Sequence, residues 1–257
     1  MLLTIAGASS KVALSLLDSL AAQGIEGLGF HRSESPELVS SARAWKRQGA
    51  QLTLVRWDAA AEDCGPSALA HLDGALERHD ELVFVYACGQ WWSGDVAAIT
   101  AESLARLTQV HFTAPALLLS EIAGRLHAGK LRRIKVIVLT GLTGANGGAA
   151  FHSLYGATVS ALQQFVRSLA AELVGSVHCA FCIELGLMDK GQPYIEDLCA
   201  TLVTKRPTPL LEVARFLRFC VTSPCNSFNG SVLSMSAGLN DYQGVHRFLE
   251  QRKGALQ

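Results

Sequence analysis

The chain has 257 residues, 49% of them hydrophobic and 17% charged, with 22 basic side chains against 22 acidic ones. Such a composition suits a globular protein with a generous core. Zero formal charge argues against nucleic acid or an anionic membrane as a partner. No apolar run reaches the roughly 20 residues of a membrane helix. The apolar start, Met1 to Ala6, lacks a basic leader and runs straight into a glycine turn, so a cytoplasmic protein is expected.

In chain order, strands are predicted at 2–6, 27–31, 51–56, 82–87, 134–139, 177–183 and 231–236. Helical patterns fall between them at 12–23, 37–47, 67–78, 102–127, 152–173 and 211–221. Alternation of this kind predicts βαβ crossovers and a Rossmann-type, doubly wound parallel α/β sheet of about seven strands. The runs Leu82-Val83-Phe84-Val85 and Val136-Ile137-Val138-Leu139 have no polar alternation, as expected of strands covered by helices on both faces. No linker or repeat interrupts the rhythm, so a single domain over 1–257 is expected. A proline- and glycine-containing excursion at 186–209, with a short helix at 194–203, reads as a lid over the strand ends. The seven cysteines read as reduced, buried thiols. Cys179 and Cys182 spell C-x-x-C, but on a strand residues three apart face opposite sides, which excludes a redox pair there. No metal site is expected.

Gly7-Ala8-Ser9-Ser10-Lys11 follows the first strand and opens a helix. Small residues in such a turn let backbone N–H groups and the helix N-terminus approach a pyrophosphate, with Ser9 and Ser10 adding hydroxyl donors. The second strand ends in His31-Arg32-Ser33. An NAD site wants a carboxylate there for the ribose 2′-hydroxyl. Arg32 and Ser33 suit a 2′-phosphate instead, with Lys11 as a second cation, so NADP(H) is the expected cofactor.

With these residues placed, the chain resembles the short-chain dehydrogenase/reductase family over nearly its whole length. Gly7 onward resembles that family's T-G-x-x-x-G-x-G turn, with Ala6, Lys11 and Ala13 replacing the threonine and the later glycines. Asp58 is similar to the family's adenine-contacting aspartate. Tyr86-Ala87-Cys88-Gly89 stands for N-N-A-G, which adds Ala87 and Gly89 to the cofactor-binding set. Leu185-Gly186 stands for Pro-Gly, and Asn229-Gly230-Ser231-Val232 for the late glycine turn.

The resemblance implies a catalytic set of asparagine, serine, tyrosine and lysine, and here that set is degenerate. Tyr155 matches the tyrosine. The lysine position, one helical turn later, is Val159. Thirteen residues before Tyr155, where the serine belongs, stands Leu142, with Thr143 as the nearby substitute hydroxyl. The asparagine position is His111, and His152, one turn before Tyr155, is a further candidate. Trp91 and Trp92 follow Gly89 and are expected near the strand ends, as walls of an apolar pocket.

These marks imply an atypical NADP(H)-dependent oxidoreductase acting on a carbonyl, hydroxyl or enone of a small apolar or aromatic molecule. A non-redox enzyme on the same scaffold, such as a dehydratase, isomerase or cyclase, and a catalytically silent binding subunit stay open beside it. Ala157, Ser160, Ala161, Ser168, Ala170 and Ala171 give one helix small residues for close packing. Together with the family's habit, they imply a homodimer or homotetramer.

Overall fold

A computed structural model of the chain describes residues 1–142, 151–173, 175, 177–189, 199 and 205–236, without the side chain of Ser67. Seven parallel strands form one sheet in the spatial order β3-β2-β1-β4-β5-β6-β7. The elements in sequence are β1 (Leu2–Ala6), α1 (Lys11–Leu20), β2 (Glu26–His31), α2 (Pro36–Arg47), β3 (Leu52–Arg56), α3 (Cys64–Leu76) and β4 (Glu81–Tyr86). There follow α4 (Ala101–Thr108), α5 (Ala114–His127), β5 (Arg133–Gly141), α6 (Ser153–Glu172), β6 (Cys179–Leu185), α7 (Leu210–Thr222) and β7 (Val232–Met235). The chain leaves β1 for β2 and β3 on one side, then returns past β1 to β4. That reversal opens a crevice at the carboxyl ends of β1 and β4, the place where open α/β sheets bind ligands.

Strand alternation divides the core into two layers. Val136 and Val138 of β5 with Ala180 and Cys182 of β6 face one layer, where Leu162 and Val166 of α6 cover them. Ile137, Cys179, Phe181 and Ile183 face the other, under Leu16 and Leu17 of α1 and Val213 and Leu217 of α7. Cys179 and Cys182 therefore lie on opposite faces of β6, as their spacing predicts.

Local signals set the helix starts. Ser10 caps α1 by accepting from Ala13 N–H, and Ser35 caps α2 by accepting from Leu38 N–H, with Pro36 and Glu37 in its first turn. Thr100 and Ser103 form a reciprocal capping box at α4. At the opposite end of the sheet from the crevice, Lys135 is buried, and its ammonium donates to the carbonyls of Cys220, Val221 and Ser223 (3.1 and 2.7 Å to the last two) at the end of α7. A cation there answers the unpaired carbonyls of the last helical turn, while burial lowers its pKa.

Two expectations change. The helix predicted over 102–127 is two helices joined by a five-residue π-turn, Gln109–Thr113. Pro115 lacks an N–H and its ring crowds the carbonyl four residues back, at His111, so the backbone widens there. The sixth strand runs to Leu185, two residues past its predicted end, because Glu184 is buried and its carboxylate accepts from the Gln163 amide (2.7 Å). Of the lid at 186–209, only the two ends and Cys199 are described; Thr208 N–H donates to Leu187 O (2.9 Å) and ties the ends together. The helix expected at 194–203 lies outside the described residues, apart from Cys199.

Candidate functional site

The turn after β1 is built on the backbone freedom of Gly7, whose φ is +87°. The N–H groups of Gly7 and Ala8 both donate to Phe30 O (3.0 and 2.8 Å), which locks the turn to β2. Ala87 N–H donates to Ala6 O (2.8 Å), and the Gly7 Cα lies so close to Ala87 that an added Cβ would meet its carbonyl carbon and oxygen at 2.8 Å. Gly7 and Ala87 therefore meet at the carboxyl ends of β1 and β4, and Gly89 follows two residues on. The Ser10 oxygen is engaged as the α1 cap, which leaves its hydroxyl hydrogen to donate. Ser9 is half-buried beside it, and Lys11 is exposed as the first residue of α1.

Arg32 and Ser33 are exposed at the end of β2. Asp58, half-buried after β3, accepts from Ala60 N–H (3.0 Å). Both charges reach the Cys88 thiol: burial pushes it up to about 12, Asp58 adds to the rise and Arg32 opposes it. His31, just before Arg32, is buried with its Nδ1 unbonded.

Across the crevice, the first turn of α6 carries Tyr155, with His152 at its N-cap position. Tyr155 is held by rings. Trp91 lies 4.9 Å from it between centroids, and His111 lies 5.2 Å away, edge-on at 84°. Trp91 also packs edge-on against His152 (4.7 Å). Burial alone pushes the Tyr155 phenol up to about 12, so it is protonated at neutral pH. The lysine position, Val159, is buried and apolar, and brings no charge.

Spacing had pointed to Leu142 as the residue opposite the tyrosine; the structure places Gly141 there. A Cβ added to Gly141 would collide with the Tyr155 hydroxyl, whereas Leu142 is buried and turned toward Gly186. The hydroxyl of Tyr155 thus fills the space in front of Gly141. Thr143 lies outside the described residues.

His111 sits on the π-turn, buried, with both ring nitrogens engaged. Its Nε2 accepts from Gln90 N–H (3.0 Å), and its Nδ1 pairs with Thr158 Oγ1 of α6 (2.8 Å). Accepting at Nε2 places the proton on Nδ1. Burial lowers its pKa to about 4, so the ring is neutral and joins the loop after β4 to α6. Gly141 and the Gln90–His111–Thr158 link were missed in the sequence. Gly141 gives no signal until the strand end is known, whereas Pro115 four residues after His111 was readable.

The geometry can be set beside known proteins. The family model described as Enoyl-(Acyl carrier protein) reductase matches residues 7–240. Among curated proteins nothing matches the chain. Solved structures share the fold at low identity. A short-chain dehydrogenase from Burkholderia cenocepacia in complex with NADP is 18% identical, with a TM-score of 0.80 over 93% of this chain and 97% of that one. A blue fluorescent protein from a metagenomic library in complex with NADPH is 20% identical, with a TM-score of 0.80 over 93% and 98%. An NAD+-bound xylitol dehydrogenase is 14% identical, with a TM-score of 0.78 over 92% and 98%.

Proposed function

The chain belongs to the enoyl-(acyl carrier protein) reductase family of short-chain dehydrogenases/reductases, and on that premise we propose that it is an NADP(H)-dependent oxidoreductase that reduces a carbonyl or enone of a small apolar or aromatic molecule. The cofactor fits the residues present. Gly7 keeps the turn after β1 pressed against Ala87, where no Cβ has room, and the N-terminus of α1 with Ser9 and Ser10 would hold the pyrophosphate. Lys11, Arg32 and Ser33 would hold the 2′-phosphate, Asp58 the adenine, and Ala87 and Gly89 the adjoining rim. Neighbouring structures carry NADP, NADPH or NAD+, so the preference rests on this chain's own β2 terminus, which offers a guanidinium and no carboxylate. NADPH supplies a hydride when bound.

The observation that carries the reading is Tyr155, a protonated phenol set between Trp91, His111 and Gly141 at the carboxyl end of β5. In a reduction it gives its proton to the substrate oxygen. With no cation at Val159 to stabilise the phenolate, it is a poor base, and the reverse oxidation needs alkaline solution. His111, with both nitrogens committed, holds Tyr155 in place; His152 and Thr143 are the remaining candidates to orient the substrate oxygen. Ala157, Ala161, Ser168 and Ala171 are exposed on α6, Ser160 is half-buried and Ala170 is buried, which supports a homodimer or homotetramer packed through the first four.

Tyr155→Phe is expected to lower turnover at least 100-fold while leaving the NADPH dissociation constant unchanged, as read by steady-state kinetics and calorimetry. Undiminished turnover would remove Tyr155 from the chemistry. A second reading, a non-redox or silent nucleotide-binding subunit, draws on Gly141 and Val159, which leave two positions of the family's set without a functional group. It predicts NADPH binding with no NADPH consumed against any carbonyl or enone.

A further inference from the structure

We infer that Trp91 selects the substrate, and that the substrate class is a flat, conjugated, uncharged ketone or quinone. The inference rests on the reductase reading for its chemistry, but its recognition argument stands on the wall of the crevice itself.

The loop that carries Trp91 is fixed at both ends. Gln90 N–H is held by His111 (3.0 Å), and the Gln90 side-chain oxygen accepts from Arg106 Nε (2.9 Å). Gly94 N–H donates to Phe151 O (2.8 Å), which ties the far end of the loop to the start of α6. Trp92 packs back over Gly94, where an added Cβ would meet its ring at 3.1 Å. Trp91 does the opposite: 54% of its surface is exposed, although one part of its ring rests on Tyr155 and His152. A large indole left open to water on a braced loop, in contact with the proton donor, is a preformed stacking platform with little ordering cost on binding.

The surrounding groups argue for what stacks there. Tyr155 is protonated and His111 is neutral at pH 7. Val159 replaces a cation with an apolar surface, and Gly141 brings no hydroxyl. Among the described residues, the Tyr155 hydroxyl and the His152 ring are therefore the groups beside Trp91 that can meet the substrate oxygen, and the ring contacts of Trp91 and Tyr155 include no lysine or arginine to recognise a carboxylate or phosphate. Sugars and polyols need several directed hydrogen bonds, more than the described part of this wall offers. A planar conjugated carbonyl needs one hydrogen bond and a flat apolar face, and the wall provides both.

The test uses two bicyclic ketones of equal size, 1-tetralone, which has an aromatic ring, and 1-decalone, which does not. Dissociation constants are measured by ligand-observed NMR on the intact protein, without and with NADP+, for the native chain, Trp91→Ala and Trp92→Ala. Tetralone is expected to bind roughly tenfold tighter than decalone, the scale of one good aromatic contact. Trp91→Ala is expected to erase that preference, and Trp92→Ala to keep it. Equal affinity for the two ketones, or a preference that survives Trp91→Ala, would overturn the inference. Tetralone preference in a protein that binds no NADP+ would uphold the substrate class and refute the redox reading. NADP+ binding without tetralone preference would do the reverse.

Discussion

Gly7→Ala is expected to destabilise the protein by about 4 kcal/mol and to abolish nucleotide binding. Two costs add at this position. A side chain at φ +87° lies outside the region that L residues adopt, at about 1–3 kcal/mol. The new methyl would also press on the carbonyl of Ala87 at 2.8 Å and on Cys88 N at 2.9 Å. These are backbone atoms at the end of β4, and overpacking of this kind costs about 1–3 kcal/mol. Gly24 is the control. Its φ is +65° but nothing lies within 4 Å of an added Cβ, so Gly24→Ala is expected to cost about 1 kcal/mol. Urea unfolding of the two variants with unchanged m-values separates strain from contact; equal losses would mean that the Gly7 turn does not rest against β4.

The second large effect is on pH. His111 is expected to make the fold about 3 kcal/mol less stable at pH 4 than at pH 7. Its ordinary pKa of about 6.5 falls to about 4 in the folded chain because burial disfavours the charged ring. Between those two values the unfolded chain holds the extra proton, so acid favours unfolding, and the stability present above pH 6.5 is lost as the pH falls toward 4. The loss has a structural reading: a protonated Nε2 can no longer accept from Gln90 N–H. His111→Gln keeps a hydrogen-bonding side chain without the titration, and its stability should vary much less across that window. An identical pH slope in both proteins would show that His111 does not titrate as its burial demands.

The fold was legible because each layer of the sheet left its own sign. Continuous apolar runs at Leu82–Val85 and Val136–Leu139 marked strands buried on both faces, and the helices between them carried amphipathic spacing. The boundaries that moved did so for reasons of long-range contact. Glu184 reads as a strand end in isolation, and the amide of Gln163 across the layer helps it stay buried.

The site was half legible. Gly7, Arg32, Asp58 and Tyr155 could be assigned positions in advance from the strand ends and the helix that carry them. Gly141 could not, because a glycine one residue from the expected serine position has no side chain to point with. Its importance lies in what its absence of a side chain admits, the hydroxyl of Tyr155. The role of His111 changed for a similar reason. Its relay chemistry was plausible from position, but Gln90 and Thr158, 21 and 47 residues away in sequence, take both nitrogens.

A crevice built for NADP(H) is put to the test by titrating the purified protein with NADPH and with NADH, following nicotinamide fluorescence and calorimetric heat. NADPH is expected to bind saturably and at least tenfold tighter than NADH, the scale of one charge-assisted contact from Arg32 to the 2′-phosphate. Equal affinity for the two would contradict the role of Arg32, and binding of neither would contradict the reductase itself.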